Sequence, residues 1–438
     1  MRAMTLILGI GLLAVLVFAG PVFAGAQADS DTLKTGAEEK KKTDDDLEAL
    51  RRAAEAESEK KQEAEEETEE TTFKSGSLGL QALNPEMSVV GDMIGNYQSG
   101  IEDEPTSEAI FRSLGIHLQS YLDPYSMFKV AIPLGLEEIE LEEAYFTRYG
   151  VLWNMNLTLG RFRQQFGIVN RWHIHALDWF NFPLALRGVF GPGGLNQLGL
   201  SLDWTAATGS ISHGLWVQVT STRNEKVFGA NSDSYPSILA RYIAYHDISA
   251  STYIQAGVTG MIGWNNSWTV PDTGGTTTTF DDTQTTHVYG AELMLLWEPT
   301  SQMRYRNIEW RSEAYFLDRG IIAPDGSGPD KVKPWGLYTL LQAKVSRTIE
   351  IGARYDYYAP DMKEYGPPND DALLLPHAVS QSDAYRQLVG GWLTWWQSPF
   401  VKFRGGYSFE GGKEMGPDVH LVTLQMVFAA GPHKHDRY

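Results

Sequence analysis

From about residue 84 onward, apolar and polar residues alternate along the chain with a period of two. The alternation is clearest in residues 348–358, where one face carries Ile349, Ile351, Ala353, Tyr355 and Tyr357. The pattern recurs in residues 289–297, 401–409 and 422–428. Segments of about ten residues with one apolar face are typical of tilted strands that cross a bilayer. The pattern therefore predicts an all-β chain.

Sixteen such strands can be placed, including one over residues 151–161, with centres near residues 91, 115, 129, 144, 157, 201, 218, 242, 258, 292, 311, 340, 353, 390, 404 and 424. Short links tend to follow even-numbered strands, and long links follow odd-numbered ones. A soluble β-sandwich also alternates but gives no reason for this asymmetry. We therefore predict a transmembrane antiparallel β-barrel of about 16 strands over residues 76–438, with both termini in the periplasm.

The first residues have the pattern of a secretory signal. Arg2 precedes a short apolar run over residues 6–18, and small residues follow as far as Ala26. The run is short for a helix that spans a membrane, which disfavours the alternative of a membrane anchor. We predict a signal peptide over residues 1–26, cleaved after Ala24 or Ala26.

Residues 27–75 form a different, highly charged region. Lysines fill positions 40–42, aspartates 44–46 and glutamates 65–67. Because this region has so few residues that could form a core, we predict a helical or disordered segment in the periplasm. Leu47, Leu50 and Ala54 leave a weak coiled coil open, and residues 29–74 could contact the cell wall.

Composition excludes several classes of function. The net charge of -19 disfavours nucleic acid as a partner, and the absence of Cys excludes disulfides and thiolate sites. The 13 Trp and 20 Tyr suit membrane–water boundaries. The motifs of common hydrolases and nucleotide-binding enzymes are missing, so we expect neither an enzyme nor a cofactor. The pairs Glu137-Glu138 and Glu142-Glu143 are expected to point to opposite faces of a strand.

The link over residues 164–196 is too long for an ordinary connection between strands. It holds Arg171, His173, His175, Asp178 and Arg187, together with four large aromatic residues. His173 and His175 are spaced so that they could share a metal ion, but hydrogen-bonded packing is the simpler interpretation and no metal site is predicted. Long ordered loops usually carry function, so we predict that this loop is the constriction of a pore.

The same region carries a resemblance to a known family. Residues 160–167, Gly-Arg-Phe-x-x-x-Phe-Gly, resemble the Gly-Lys-Phe-x-x-Pro-Phe-Gly motif of porins of the phosphate-selective O and P type. The Asn-Arg-x-His-x-His stretch that follows is similar to related, uncharacterised porin-like outer-membrane proteins. The specific likeness covers residues 157–200, and Arg161 replaces the lysine of the motif. The resemblance implies a sixteen-stranded barrel, often a homotrimer, whose third long loop folds inward.

Charged residues on the polar faces are candidates for the pore lining, because rings of charge select ions at a constriction. The basic candidates are Arg161, Arg163, Arg171, His173, His175, Arg187, Arg354, Lys402 and Arg404. The acidic candidates, expected to form an opposing row, are Glu292, Glu309, Glu313, Glu350 and Asp356.

These observations favour a passive diffusion channel in the bacterial outer membrane. Its partners would be outer-membrane lipid, lipopolysaccharide and small polar or charged solutes. The alternative is a structural envelope barrel that the N-terminal charged segment tethers to the cell wall.

Overall fold

The computed structural model describes residues 85–100, 105–135, 139–229, 235–265, 268–271, 277–280, 283–303, 305–322, 329–361, 384–413 and 415–431. The predicted signal peptide, the charged segment 27–75 and the pair Glu137-Glu138 lie outside these residues.

Nineteen strands are present in the described residues. They are β1 Glu86–Ser99, β2 Thr106–Asp123, β3 Ser126–Leu134, β4 Glu143–Arg148, β5 Asn156–Arg163, β6 Asn196–Thr208, β7 Ile211–Thr220, β8 Ser237–Ser249, β9 Thr252–Asn265, β10 Trp268–Pro271, β11 Thr277–Phe280, β12 Gln284–Trp297, β13 Asn307–Ile322, β14 Pro329–Val332, β15 Trp335–Lys344, β16 Ile349–Ala359, β17 Tyr385–Ser398, β18 Val401–Lys413 and β19 Val419–Ala430. Two short helices, α1 Leu184–Phe190 and α2 Glu225–Phe228, lie in the links.

Sixteen of these strands close into a barrel. Each pairs antiparallel with its neighbours in chain order, and β1 pairs with both β2 and β19. Met93 of β1, for example, lies opposite Phe111 on one side and Met426 on the other. The strands β10 and β11 form a separate hairpin, and β14 extends the sheet beside the end of β13. The predicted closed antiparallel barrel is confirmed.

All sixteen predicted strand centres fall within the sixteen barrel strands. The strand predicted over residues 151–161 begins later, at Asn156. Trp153 and Asn154 have positive φ angles of 48° and 62°, which a strand does not accommodate. Residues 151–155 instead form a turn, in which Val151 N donates to the carbonyl of Met155 at 2.8 Å.

The links differ in length at the two ends of the barrel. Residues 124–125, 209–210, 250–251 and 399–400 make short turns at one end. In the first of these, the carboxylate of Asp123 accepts hydrogen bonds from Tyr125 N at 2.7 Å and Ser126 Oγ at 2.6 Å, which fixes the turn. Long links, including residues 164–195, leave the opposite end.

The barrel wall has two unlike faces. Large apolar side chains such as Val258 and Leu424 are exposed on its outside. Polar and charged side chains alternate with them and point inward, as Gln255, Arg354 and Gln425 do. A band of exposed apolar residues needs hydrocarbon around it, so the outer face suits a lipid bilayer. Among the described residues, no helix has the length and apolar character needed to cross a membrane.

Candidate functional site: a loop inside the barrel

Residues 164–195, here called the lumen loop, fold into the barrel and touch inward-facing side chains around its circumference. At β7, Gln218 accepts a hydrogen bond from Gln165 N at 2.9 Å, and at β8 the side chain of Arg241 donates to that of Gln165 at 3.0 Å. At β18, Lys402 Nζ donates to the carbonyl of His175 at 2.9 Å. The sequence-predicted loop, residues 164–196, is therefore ordered and bound to the wall.

Local interactions fix the shape of the lumen loop. Short 3₁₀ turns form at Val169–Arg171 and Ile174–Ala176, and Gly191, with φ 86°, ends α1. Asn170 joins the two ends of the loop: its Nδ2 donates to the carbonyls of Gln164 at 2.9 Å and Leu195 at 3.0 Å, and its Oδ1 accepts from Leu195 N at 2.8 Å. One buried amide thus closes the base of the loop.

The apolar side chains of the lumen loop pack against the inner wall as a protein core does. The loop contributes the buried residues Phe166, Trp172, Trp179, Phe180 and Phe182 to one cluster with wall residues of β13 and β15–β17. Trp179 meets Trp392 of β17 edge to face, with ring centroids 5.3 Å apart.

Glycines in the wall make room for three of these rings. A Cβ atom at Gly290 of β12 would lie 2.6 Å from Phe166. At Gly390 of β17 it would lie 2.5 Å from Trp179, and at Gly406 of β18 it would lie 2.6 Å from Phe180. Any other residue at these three glycines would displace a ring, so the wall is shaped to receive the loop.

Acidic side chains of the wall bind backbone amides of the lumen loop. Glu313 of β13 accepts hydrogen bonds from Ile168 N at 2.8 Å and Val169 N at 3.2 Å, as well as from Tyr315 Oη at 3.0 Å. Tyr338 also donates to Glu313. Asp356 of β16 accepts from Leu184 N, at the start of α1, at 2.9 Å. These carboxylates satisfy amides that would otherwise be buried without a partner.

Basic side chains of the wall bind loop carbonyls in the complementary way. Arg404 of β18 donates to the carbonyl of residue 179 at 3.2 Å. Arg112 of β2 donates to the carbonyl of residue 180 at 2.5 Å, and Arg354 of β16 donates to that of residue 181 at 2.9 Å. Three strands thus hold three consecutive peptide groups.

Arg311 of β13 adds a pairing between side chains. Its guanidinium lies 2.5 Å from the carboxylate of Asp178 on the lumen loop and 3.0 Å from that of Glu309. It also stacks over the ring of Trp172 at 4.4 Å from the centroid. Arginine suits this position because its planar group can stack and donate together.

His173 binds two adjacent carboxylates. Its Nδ1 is 2.9 Å from Glu142 and its Nε2 is 3.1 Å from Glu143, and Arg163 also pairs with Glu142. Burial alone would lower the pKa of His173, but Glu142 and Glu143 raise it above its ordinary value. Burial would raise the pKa of Glu142, but Arg163 and His173 hold it well below the usual range.

This arrangement corrects the prediction that Glu142 and Glu143 face apart. The strand β4 begins only at Glu143, so strand alternation does not govern Glu142. The link before the strand turns its carboxylate inward, and both glutamates reach the same imidazole.

Most of the predicted basic residues gather around the lumen loop. Arg163, His173, His175, Arg354, Lys402 and Arg404 all take part in its docking, and Arg171 and Arg187 lie half-buried on the loop itself. Arg161 lies apart, on the same face of β5 as the exposed Leu159, and pairs with Glu140 at 3.2 Å.

The predicted acidic residues do not form a separate row. On β13, Arg311 stands between Glu309 and Glu313, and on β16 the guanidinium of Arg354 lies 2.9 Å from Asp356. Glu292 pairs with Arg241 at 2.5 Å, and Glu350 lies 3.7 Å from Lys344. The two signs are therefore interleaved on the same strands and paired locally.

Sequence reasoning missed several residues that hold the loop: Arg112, His117, Glu142, Glu143, Arg241 and Arg311. Inward strand positions were the signal for Arg241 and Arg311, which alternate with apolar residues just as Arg354 does. Their partners on the loop lie 76 and 133 residues away in sequence, and no local pattern identifies them.

Comparison with known proteins places this geometry in a recognised fold. The outer-membrane channel DcaP of Acinetobacter baumannii has a similar structure, with a TM-score of 0.53 and 12% identity over 81% of this chain and 99% of that chain. An anion-selective porin from Comamonas acidovorans gives a TM-score of 0.51 and 11% identity over 79% of this chain and 99% of that chain. The fold is that of outer-membrane porins and channels.

Sequence comparison adds little. An uncharacterised protein of Aquifex aeolicus (strain VF5) is 29% identical over 119 residues, which are 27% of this chain. The match spans 25% of the length of that relative. No family model matches the chain. The predicted likeness to porins of the phosphate-selective O and P type stays a prediction.

Proposed function

We propose that this protein is a passive diffusion channel for small polar or charged solutes in the bacterial outer membrane, with the lumen loop as its constriction. The observation that carries the proposal is the fit between loop and wall: Gly290, Gly390 and Gly406 accept loop rings, and charged wall residues bind loop peptide groups. A loop seated in this way leaves solutes only the space beside it.

The surroundings that we propose follow from the two faces of the wall. Outer-membrane lipid and lipopolysaccharide would cover the exposed apolar band, and both termini would lie in the periplasm. A homotrimer remains part of the proposal, as does a cell-wall contact through residues 29–74.

A second candidate is a structural barrel that the lumen loop seals. The burial of charged wall residues such as Arg241, Arg311 and Lys402 favours it, because a wide aqueous lumen would leave them in contact with water. In that case the barrel would anchor the envelope through the charged N-terminal segment and would conduct nothing.

Planar-bilayer recording of the purified protein separates the two candidates. The channel predicts stepwise conductance increments, and a salt gradient then gives the ion preference. Silence from protein that is shown to be folded, by its heat-sensitive migration on a gel, would reject the channel and favour the sealed barrel.

A further inference from the structure

Several charged and titratable side chains surround His173. We name the His–Glu clasp as His117 of β2, Glu142 just before β4, Glu143 at the start of β4, and His173 and His175 of the lumen loop. The two nitrogens of His173 face two different carboxylates, at 2.9 Å and 3.1 Å, and its side chain is 3% exposed.

This geometry defines the protonation state of the imidazole. A neutral imidazole has one N–H group and can donate to one carboxylate, while its second nitrogen presents a lone pair. A lone pair at 3.1 Å from a carboxylate oxygen is repulsive. Only the imidazolium, which carries a positive charge and two N–H groups, is attracted to both Glu142 and Glu143.

The other charged groups around His173 are already paired. Arg163 of β5 binds Glu142, and Lys129 of β3 lies 3.4 Å from Glu143. Two cations therefore balance two carboxylates before His173 is counted, and a proton on His173 adds one positive charge. The pair Glu142–His173 lies between the wall and the loop, so that proton contributes directly to docking.

Two further imidazoles pack against His173. The ring of His117 meets it edge-on with centroids 5.0 Å apart, and the ring of His175 stacks on it at 5.6 Å. A second positive charge at either position would repel the first at this distance. The clasp is therefore built around a single proton.

We propose that the His–Glu clasp is proton-operated: the imidazolium of His173 holds residues 171–177 against the wall through its hydrogen bond to Glu142 and its ion pair with Glu143, and loss of its proton releases that segment. As a means of regulating a constriction, this inference rests on the proposed function. As a statement about loop docking, it can be tested without any conductance.

The direction of the effect follows from linkage. A group whose pKa is raised in the docked state stabilises that state fully below its ordinary pKa of about 6.5, and the stabilisation is lost as the pH rises through the raised value. Opening of residues 171–177 should therefore increase as the pH rises above about 6.5. The expected increase is roughly tenfold for each unit by which the docked pKa exceeds the released one.

A cysteine reporter can measure this opening, because the natural chain has no Cys. Ala176 is buried on the loop, so Ala176→Cys should react with a soluble thiol reagent only when the segment opens. A second variant, Thr300→Cys, places a thiol in an exposed turn. The ratio of the two labelling rates at each pH removes the intrinsic effect of thiol ionisation.

We expect this ratio to be low at pH 6 and to rise towards pH 9 in the otherwise native protein. His173→Gln should give a high ratio that does not change with pH, because glutamine cannot take up a proton and become positively charged. His213→Gln is the matched control: His213 pairs with Tyr242 away from the loop and should leave the pH profile unchanged.

A flat ratio in the otherwise native protein, or an unchanged pH profile in His173→Gln, would overturn the clasp. If His173→Gln does not fold, the native profile and that of Glu143→Gln decide in the same way. Flat labelling with normal conductance would reject the clasp and leave the channel. A pH-dependent ratio without conductance would reject the channel and leave the clasp.

Discussion

Large apolar side chains occur in two regions of this molecule under opposite conditions. In the lumen loop, Trp172 is 1% exposed and packs under Arg311 inside the barrel. On the outer face, Leu424 is 65% exposed, and its cover must come from outside the chain, as hydrocarbon would provide it. The loop is thus held by contacts within the chain, whereas the outer band depends on what surrounds it.

This difference teaches how a polar-lined barrel can hold an apolar loop. The wall does not offer the loop an apolar surface alone; it offers glycine gaps for rings and charged groups for peptide bonds. The wall satisfies several buried peptide groups of the loop, among them those of residues 168, 169, 179 and 181, which lowers the polar cost of burying the aromatic rings. The outer face needs no such devices, because its strands already satisfy one another.

Removal of a large apolar side chain should therefore affect loop opening very differently in the two regions. Trp172→Ala should reduce the free energy of loop opening by about 3–5 kcal/mol, because it leaves a cavity and removes the stack on Arg311. Leu424→Ala, in detergent, should change it by no more than about 0.5 kcal/mol. Hydrogen exchange of loop amides such as Ile168 measures this free energy in both variants. Equal effects would mean that the loop is not packed as described.

An exposed ion pair should have the smallest effect. Arg148 and Asp123 lie 3.2 Å apart, and their side chains are 42% and 47% exposed near a short turn. Solvent screens such pairs, so Arg148→Met should change stability against urea by less than about 1 kcal/mol. A larger loss would show that the turns contribute more to stability than the packing inside the barrel implies.

The strands were predictable because their period is local and repeats sixteen times. The lumen loop was recognisable by its length, but its docking was not. Glu313 binds amides 144 and 145 residues away, and nothing around Glu313 in the sequence marks it as different from Glu292. The position at which a strand starts was also not predictable. The strand β4 starts at Glu143, and a start one residue earlier would have placed Glu142 on the opposite face, away from the loop.

The mixed charges on the inner wall show the same limit of prediction from local sequence. Alternation puts Arg354, Asp356 and Glu309 on the polar faces of their strands, but it cannot tell a row that lines a pore from one that binds a loop. That distinction depends on what fills the lumen, which is a property of the tertiary structure.

The central claim is that the docked lumen loop limits passage through the barrel, and three glycines give the most direct test. The combined change Gly290→Ala, Gly390→Ala and Gly406→Ala puts a methyl group against three loop rings, at a cost to docking of about 1–3 kcal/mol each. Gly260→Ala is the control, since no atom lies within 4 Å of its added Cβ. In planar bilayers, we predict larger single-channel steps for the triple variant than for the native protein and native-sized steps for the control. Identical steps in all three proteins, each shown to be folded, would contradict the claim.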